Sequence, residues 1–278
     1  MSSIVSSIGE KAFYYCNKLV NITFGSNITS IGNEAFYNCN SITDFVISDS
    51  VVSIGEAAFF GCDKLKSITI GSNVSSIGYG AFNYCRNILS INVKDDNDNF
   101  QSIDGVLFDK KLEVIICYPR GKTESEYVIP DTVTTICEDA FYGSKLSRIT
   151  IPNSVVSIEK SAFSSSSNLI KINIPEGVVS INDCLFYGCR NLSSISIPNG
   201  VYSIGEYAFY GCSSLSSITI PYSVSSVGSN AFRNCDKLTR IVVGRPKGWL
   251  SGAPWGGNMT GSGTKRIDIV WPSVTDKY

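Results

Sequence analysis

The chain has 278 residues, 43% of them hydrophobic, and a formal net charge of −1, which is ample for a core and leaves no basic footprint for nucleic acid or anionic lipid. It contains no histidine, and this removes histidine-based acid–base catalysis, Ser-His and Cys-His nucleophile pairs, and zinc sites with histidine ligands. No apolar run approaches the ~20 residues of a membrane helix, and the opening MSSIVSSIGEKAF lacks the charged and apolar regions of a signal peptide.

Residues 53–70, SIGEAAFFGCDKLKSITI, return as SIGEYAFYGCSSLSSITI at 203–220. Taking the phenylalanine of the Ala-Phe step as a ruler, it falls at Phe13, Phe36, Phe59 and Phe82, then at Phe141, Phe163, Phe186, Phe209 and Phe232, with spacings of 22 or 23 inside each run. A fixed period in the twenties predicts a solenoid. The chain enters mid-repeat: Val5 and Ile8 match Val51 and Ile54, without the strand that precedes them in other copies. Either a processing boundary or a frayed cap at residues 1–9 accounts for this.

Within each repeat, Val51 and Ile54 and their counterparts form inward columns, and Leu65-x-x-Ile68-x-Ile70 alternates with period two, so a short strand with one buried face follows. Stacked copies make a parallel sheet with coils about 4.8 Å apart. Between strands, Gly-Glu-x-Ala-Phe-x-x-Cys predicts one helical or 3₁₀ turn that drops Phe and Cys inward. The glycine after the isoleucine (Gly9, Gly32, Gly55, Gly78, Gly205, Gly228) is expected to relax a positive-φ turn. Cys137, Glu159 and Asn182 replace it in three successive copies, where local differences are expected, with Glu159 the poorest fit.

Residues 94–135 interrupt the period. KDDNDNFQ opens a polar turn, Ser102 to Phe108 restates the Ile-Gly-x-x-Ala-Phe segment imperfectly, Leu112-x-x-Ile115 restates the strand, and Tyr127-Val-Ile-Pro130 adds a strand-like piece. The stretch reads as a longer coil with an edge hairpin. After it, proline closes the strands (Pro152, Pro175, Pro198, Pro221) where Gly25, Ser48 and Gly71 do so before, because proline cannot donate to a ladder. The period persists across this change, so residues 1–243 form one solenoid domain. Residues 244–278 hold Trp249, Trp255 and Trp271 and read as a C-terminal cap with a last strand at 266–271.

Ten cysteines raise disulfides and metals. Seven occupy one repeat position, three after the Phe, and Ser144 and Ser166 take that place in the other regular copies. A column that accepts Cys or Ser wants a small side chain with a weak hydrogen bond to backbone, so free buried thiols are expected. No metal site is expected. Asp95-Asp96-Asn97-Asp98-Asn99 has the look of a calcium loop but lacks the glycine and glutamate at the required places. The Asn-x-Ser/Thr sequons carry meaning only in a eukaryotic secretory setting.

The unit Ile-Gly-x-x-Ala-Phe-x-x-Cys-x-x-Leu-x-x-Ile-x-Ile-Pro resembles the leucine-rich repeat of the BspA-like class, as do the turn at 96–108, the Tyr118-Pro119-x-Gly121 that follows it, and the tail Ser251-Gly-Ala-Pro-Trp-Gly256. The resemblance implies a curved, right-handed, β-rich solenoid and, for surface members, adhesion to host or bacterial partners. It implies a secreted or cell-surface protein; a cytoplasmic one is the alternative.

The outward strand positions are the candidate contact surface for a protein or glycan on the concave side. They are rich in Ser, Thr and Asn, which β-propensity and solubility alone also explain. Asp44, Arg148, Lys171 and Arg240 are charged positions of one outward column, and Val114 and Ile116, expected to be exposed, lie on the irregular turn. The strongest candidate is near Arg148–Lys171. The reading is a non-enzymatic binding or adhesion module without cofactor, nucleic acid or membrane insertion; an intracellular scaffold is second. An enzyme ranks last, because no charged pair sits in a predictable pocket.

Overall fold

Short strands, most of them paired in parallel, build the structure, a computed structural model that describes residues 5–23, 25–246 and 268–271. The chain divides into two compact units, Met1–Lys122 and Thr123–Tyr278, and the boundary falls inside the irregular stretch at 94–135. Each unit is a solenoid of stacked coils. One repeat period runs through both, and the change from Gly25, Ser48 and Gly71 to Pro152, Pro175, Pro198 and Pro221 at the strand ends falls on either side of the division.

In the first unit the main ladder is Asp44–Val46, Ser67–Ile70 and Ser90–Val93, with Phe45, Ile68 and Ile91 in register. Its second ladder is Ser7–Ile8, Ser30–Ile31, Ser53–Ile54 and Ser76–Ile77. In the second unit Glu126–Val128, Arg148–Thr150 and Lys171–Ile172 form one main ladder, and Ser217–Ile220, Arg240–Val243 and Asp268–Val270 another. Burial alternates with the pleat, so Ile68, Ile91, Ile149, Ile218 and Ile241 point into the core. The segment 127–130 is thus no extra piece, since Glu126–Val128 is a regular main strand pairing with Arg148–Thr150.

Among the described residues no helix forms at the Ala-Phe step, and a run of turns stands where one helical turn was expected. Left-handed residues interrupt helical geometry twice per coil, as at Ala57 (φ 50°) and Gly61 (φ 69°). The backbone then alternates. Ala57, Phe59 and Gly61 donate to carbonyls of the next coil at 2.8–2.9 Å, while Phe60 and Cys62 donate back three residues at 3.0 and 3.2 Å. Every second amide of the turn therefore ties two coils together, and the Phe column stacks behind it, with Phe186–Phe209 at 5.4 Å and Phe209–Phe232 at 5.4 Å.

The glycine after the isoleucine has a different role from the expected one. None of Gly32, Gly55, Gly78, Gly205 and Gly228 has positive φ. A Cβ at Gly55 would lie 2.5 Å from the Asn33 nitrogen, and one at Gly228 would lie 2.4 Å from the Glu206 nitrogen. Close approach of the neighbouring coil excludes a side chain there. Glu159 therefore pays no left-handed penalty, and its Oε2 accepts the Glu138 N–H at 2.9 Å.

The cysteine column is a hydrogen-bond column. Cys39, Cys62 and Cys85 donate to the carbonyls of Phe13, Phe36 and Phe59 at 3.0, 3.2 and 3.0 Å. Cys189, Cys212 and Cys235 do the same to Phe163, Phe186 and Phe209 at 3.2, 3.2 and 3.1 Å. Ser166 keeps the bond, to Phe141 at 2.8 Å. All ten cysteines are free, and burial pushes the thiols of Cys39 and Cys235 up to about 12 and those of Cys85, Cys189 and Cys212 upward too.

The irregular stretch of the first unit is an antiparallel hairpin, Phe100–Ile103 with Val106–Asp109, joined further on to Val114–Cys117. Asp104 (φ 50°) and Gly105 (φ 78°) both sit in the left-handed region, as a two-residue type I′ turn requires. The polar opening is fixed by Asn97, fully buried, whose amide donates to the carbonyls of Gly71 and Val74 and accepts the N–H of Asn99 and Phe100. Nearby, the Lys94 ammonium bonds Asp49 and holds its carboxyl down to about 2. Of the expected cap at 244–278, Asp268–Val270 is a strand parallel to Arg240–Val243, and Trp249 and Trp255 lie outside the described residues.

Three outcomes follow. A thiol reagent at pH 8 leaves the six buried thiols of the column unmodified in the native chain and reaches all ten after unfolding. Unfolded thiols ionise near 9.0 while Cys39 and Cys235 keep their protons to about 12, so the unfolded chain binds fewer protons over that interval. The stability these two thiols contribute is therefore full below pH 9 and is lost as pH rises toward 12, which thermal melts across that range read directly. Phe186→Ala, at a fully buried site, lowers stability to urea by about 3–5 kcal/mol.

Candidate binding face

Side chains opposite the core on each main strand form rows that the ladder holds in register. In the first unit, Ser67 donates to Asp44 Oδ1 at 2.6 Å, and Asn92 donates to the Ser90 hydroxyl at 3.3 Å. Val46 is 65% exposed beside them. In the second unit, Glu126, Arg148 and Lys171 lie side by side in register. Arg148 Nε is 3.5 Å from Glu126 Oε1 with both side chains well exposed, so this pair contributes little stability. Lys171 is exposed, and no ion pair is recorded for it among the described residues. Val128, 68% exposed, flanks the row.

Of the residues singled out from sequence, Arg148 and Lys171 are therefore true neighbours. Arg240 belongs to the second unit's other main ladder, between Ser217 and Asp268. Asp44 belongs to the first unit. Val114 and Ile116 are not exposed as expected: both are half-buried, and Ile116 packs on the first unit's core. Their strand joins the antiparallel hairpin and not a main ladder, so the outward row lacks them.

Sequence reasoning missed Asn173, whose amide donates to the Ile151 carbonyl at 2.8 Å and accepts its N–H at 3.2 Å. A side chain here replaces a backbone ladder pair, and a polar residue at a strand position gives no hint of that. It also missed a shallow groove of about 430 Å³ in the second unit, lined by Glu138, Glu159, Lys160, Asn182 and Asp183 among others. Lys160 Nζ lies 2.9 Å from Glu138 Oε1, and Asp183 Oδ1 accepts the Glu206 N–H at 2.7 Å, so these charges serve the coils themselves.

Among the described residues, no three His, Cys, Asp or Glu side chains are grouped to hold a metal ion. In the loop with the look of a calcium site, the Lys110 ammonium donates to the carbonyls of Asp95 and Asn97; a fixed positive charge already holds the loop oxygens. No helix among the described residues is long and apolar enough to cross a membrane.

The comparisons with known proteins agree with this architecture. A model described as "BspA type Leucine rich repeat region" matches in six copies over residues 1–113 and 120–244. A leucine-rich cell surface protein from Faecalibacterium prausnitzii is 32% identical, with 89% of this chain and 72% of that one covered and a TM-score of 0.76. A leucine-rich repeat protein from Bacteroides ovatus is 27% identical, covering 91% of this chain and 62% of that one, with a TM-score of 0.61. The pneumococcal vaccine antigen PcpA shares the fold at 21% identity, with 98% and 78% covered and a TM-score of 0.78. No curated protein matches the chain. With the model spanning nearly all of its coils, this chain belongs to the BspA-type leucine-rich repeat family.

Proposed function

We propose that the chain is a non-enzymatic protein-binding or adhesion module, secreted or held at the cell surface, and that it makes contact through the outward rows of its main strands. One observation carries the reading: Glu126, Arg148 and Lys171 with Val128 form an exposed, ordered row that the core does not use. Parallel pairing fixes the spacing of these side chains before any partner arrives, so little ordering entropy is lost on contact. Mixed charge beside an exposed valine suits a protein partner, with the charges setting orientation and the apolar group excluding water. The similarity to a protein described as a cell surface protein supports the location. The free thiols do not argue for a reducing compartment, because six of them are buried and hydrogen-bonded.

Binding of the labelled full chain to cultured epithelial cells and to bacterial cells tests the reading, with strand residues replaced in blocks. Arg148→Ala with Lys171→Ala lowers binding about tenfold or more, equivalent to about 1.4 kcal/mol, and leaves the melting temperature unchanged. Added salt weakens wild-type binding and has less effect on the double variant. Binding that survives replacement of every outward block contradicts the proposal.

A further inference from the structure

Successive coils of the second unit are not bonded equally. The coils at 178–200 and 201–223 are tied on two sides: Tyr202 and Gly205 donate to Val179 and Ile181 at 3.0 and 2.7 Å on the second ladder, and Cys184, Phe186 and Gly188 donate to Glu206, Ala208 and Tyr210 at 2.7–2.8 Å along the turns. The pair before it, 155–177 and 178–200, is different. Along its turns the bonds are intact: Ser161, Phe163 and Ser165 donate to Asp183, Leu185 and Tyr187 at 2.9, 3.1 and 2.6 Å, and Cys189 donates to the Phe163 carbonyl at 3.2 Å. Phe163 and Phe186 stack behind them at 5.6 Å.

On the second ladder of that pair, strands Ser157–Ile158 and Ser180–Ile181 do not pair. The Asn182 side chain, and not its backbone, reaches the Ile158 carbonyl, at 2.6 Å. At the corresponding place Gly55 and Gly205 use their own N–H, at 2.8 and 2.7 Å. Glu159 and Asn182 both bring a Cβ to the glycine position. The preceding pair, Cys137 and Glu159, also lacks glycine yet keeps its strands paired, so the substituted asparagine amide marks where pairing lapses. The 430 Å³ groove opens along this seam.

On the main ladder the same pair is open as well. Residues 192–198 form no strand, and one weak bond, Ser193 N–H to the Ile170 carbonyl at 3.4 Å, remains across the gap. Ile195 is only half-buried, whereas its counterparts Ile172 and Ile218 are 4% and 3% exposed. The Asn173 amide bonds the coil before it, at Ile151, so it offers nothing to the coil after.

We propose that the second unit contains a hinge between the coils at 155–177 and 178–200, pinned along the turns and open at both ladders. Backbone hydrogen bonds resist separation of the coils, and here, apart from the long Ser193–Ile170 bond, they survive along one side only. Bending at the Phe163–Phe186 edge therefore changes the spacing between the main ladder that carries Arg148 and Lys171 and the one that carries Arg240. The unit behaves as two plates on a shared edge. A partner spanning both ladders then meets a face whose curvature is adjustable at a defined place.

Hydrogen exchange of the full chain, followed by mass spectrometry, tests the hinge. Amides at 179–182 and 194–197 exchange about tenfold or more faster than those at 202–205 and 148–150, as expected where opening is local. The amides of Ser161, Phe163 and Ser165 stay as protected as those of Phe186 and Gly188. In Asn182→Gly the backbone N–H replaces the side chain, and exchange at 179–182 slows toward that at 202–205. Equal protection at 179–182 and 202–205 in the wild type overturns the proposal. Fast exchange confined to 194–197 also overturns it, because that describes a frayed strand, and so does an Asn182→Gly variant whose exchange at 179–182 is unchanged or faster.

Discussion

Each coil has to lie within about 4.8 Å of the next for parallel strands to pair, and most of this sequence answers to that one constraint. At the tightest place a side chain is excluded, and glycine stands there in most coils, against backbone that would sit 2.3–2.7 Å from a Cβ at Gly32, Gly55, Gly78, Gly205 and Gly228. Three residues beyond the phenylalanine, the space fits a thiol or hydroxyl with a carbonyl waiting above it, which is why Cys and Ser exchange freely in that column. The phenylalanines fill what remains and stack from coil to coil. A period of 23 is the length of chain that goes once round and returns each of these residues to its own column.

The same constraint leaves the outward face free. Once inward positions are committed, side chains on the other side of each main strand carry no packing duty, yet the ladder places them in straight rows. Glu126, Arg148 and Lys171 are ordered by bonds they do not themselves make. Residues 192–198, which form no strand, separate the row holding Arg148 and Lys171 from the one holding Arg240. The proposed contact face and the proposed hinge share an origin in how closely coils approach.

The repeat, its columns and the buried free thiols were legible in the sequence because each recurs many times, and recurrence averages out local accidents. What was not legible occurs once. The role of glycine was misread since positive φ and close approach both select glycine, and only the neighbouring coil distinguishes them. Ala57 and Tyr207 take left-handed conformations that their side chains do not advertise, so a helical turn was expected there. An edge hairpin was expected within 94–135, but Asp104-Gly105 between apolar residues, the signal that places its turn, was absorbed into an imperfect repeat. Val114 and Ile116 were placed on the outward face by extending the period into a stretch that leaves it. Asn97, Asn173 and Asn182 each substitute a side-chain amide for backbone pairing, and a lone asparagine reads as a turn or surface residue until its partners are seen.

If coil spacing is the controlling constraint, the same substitution must have unequal consequences at two places in one column. Gly55 faces the coil before it, whereas among the described residues nothing lies within 4 Å of where a Cβ at Gly9 would stand. Urea unfolding of Gly55→Ala and Gly9→Ala makes the comparison most directly. The account predicts a loss of about 1–3 kcal/mol for Gly55→Ala, the cost of forcing extra volume into a packed site, and little or no loss for Gly9→Ala. Equal effects at both positions would contradict it, since backbone entropy alone would then explain the glycine column.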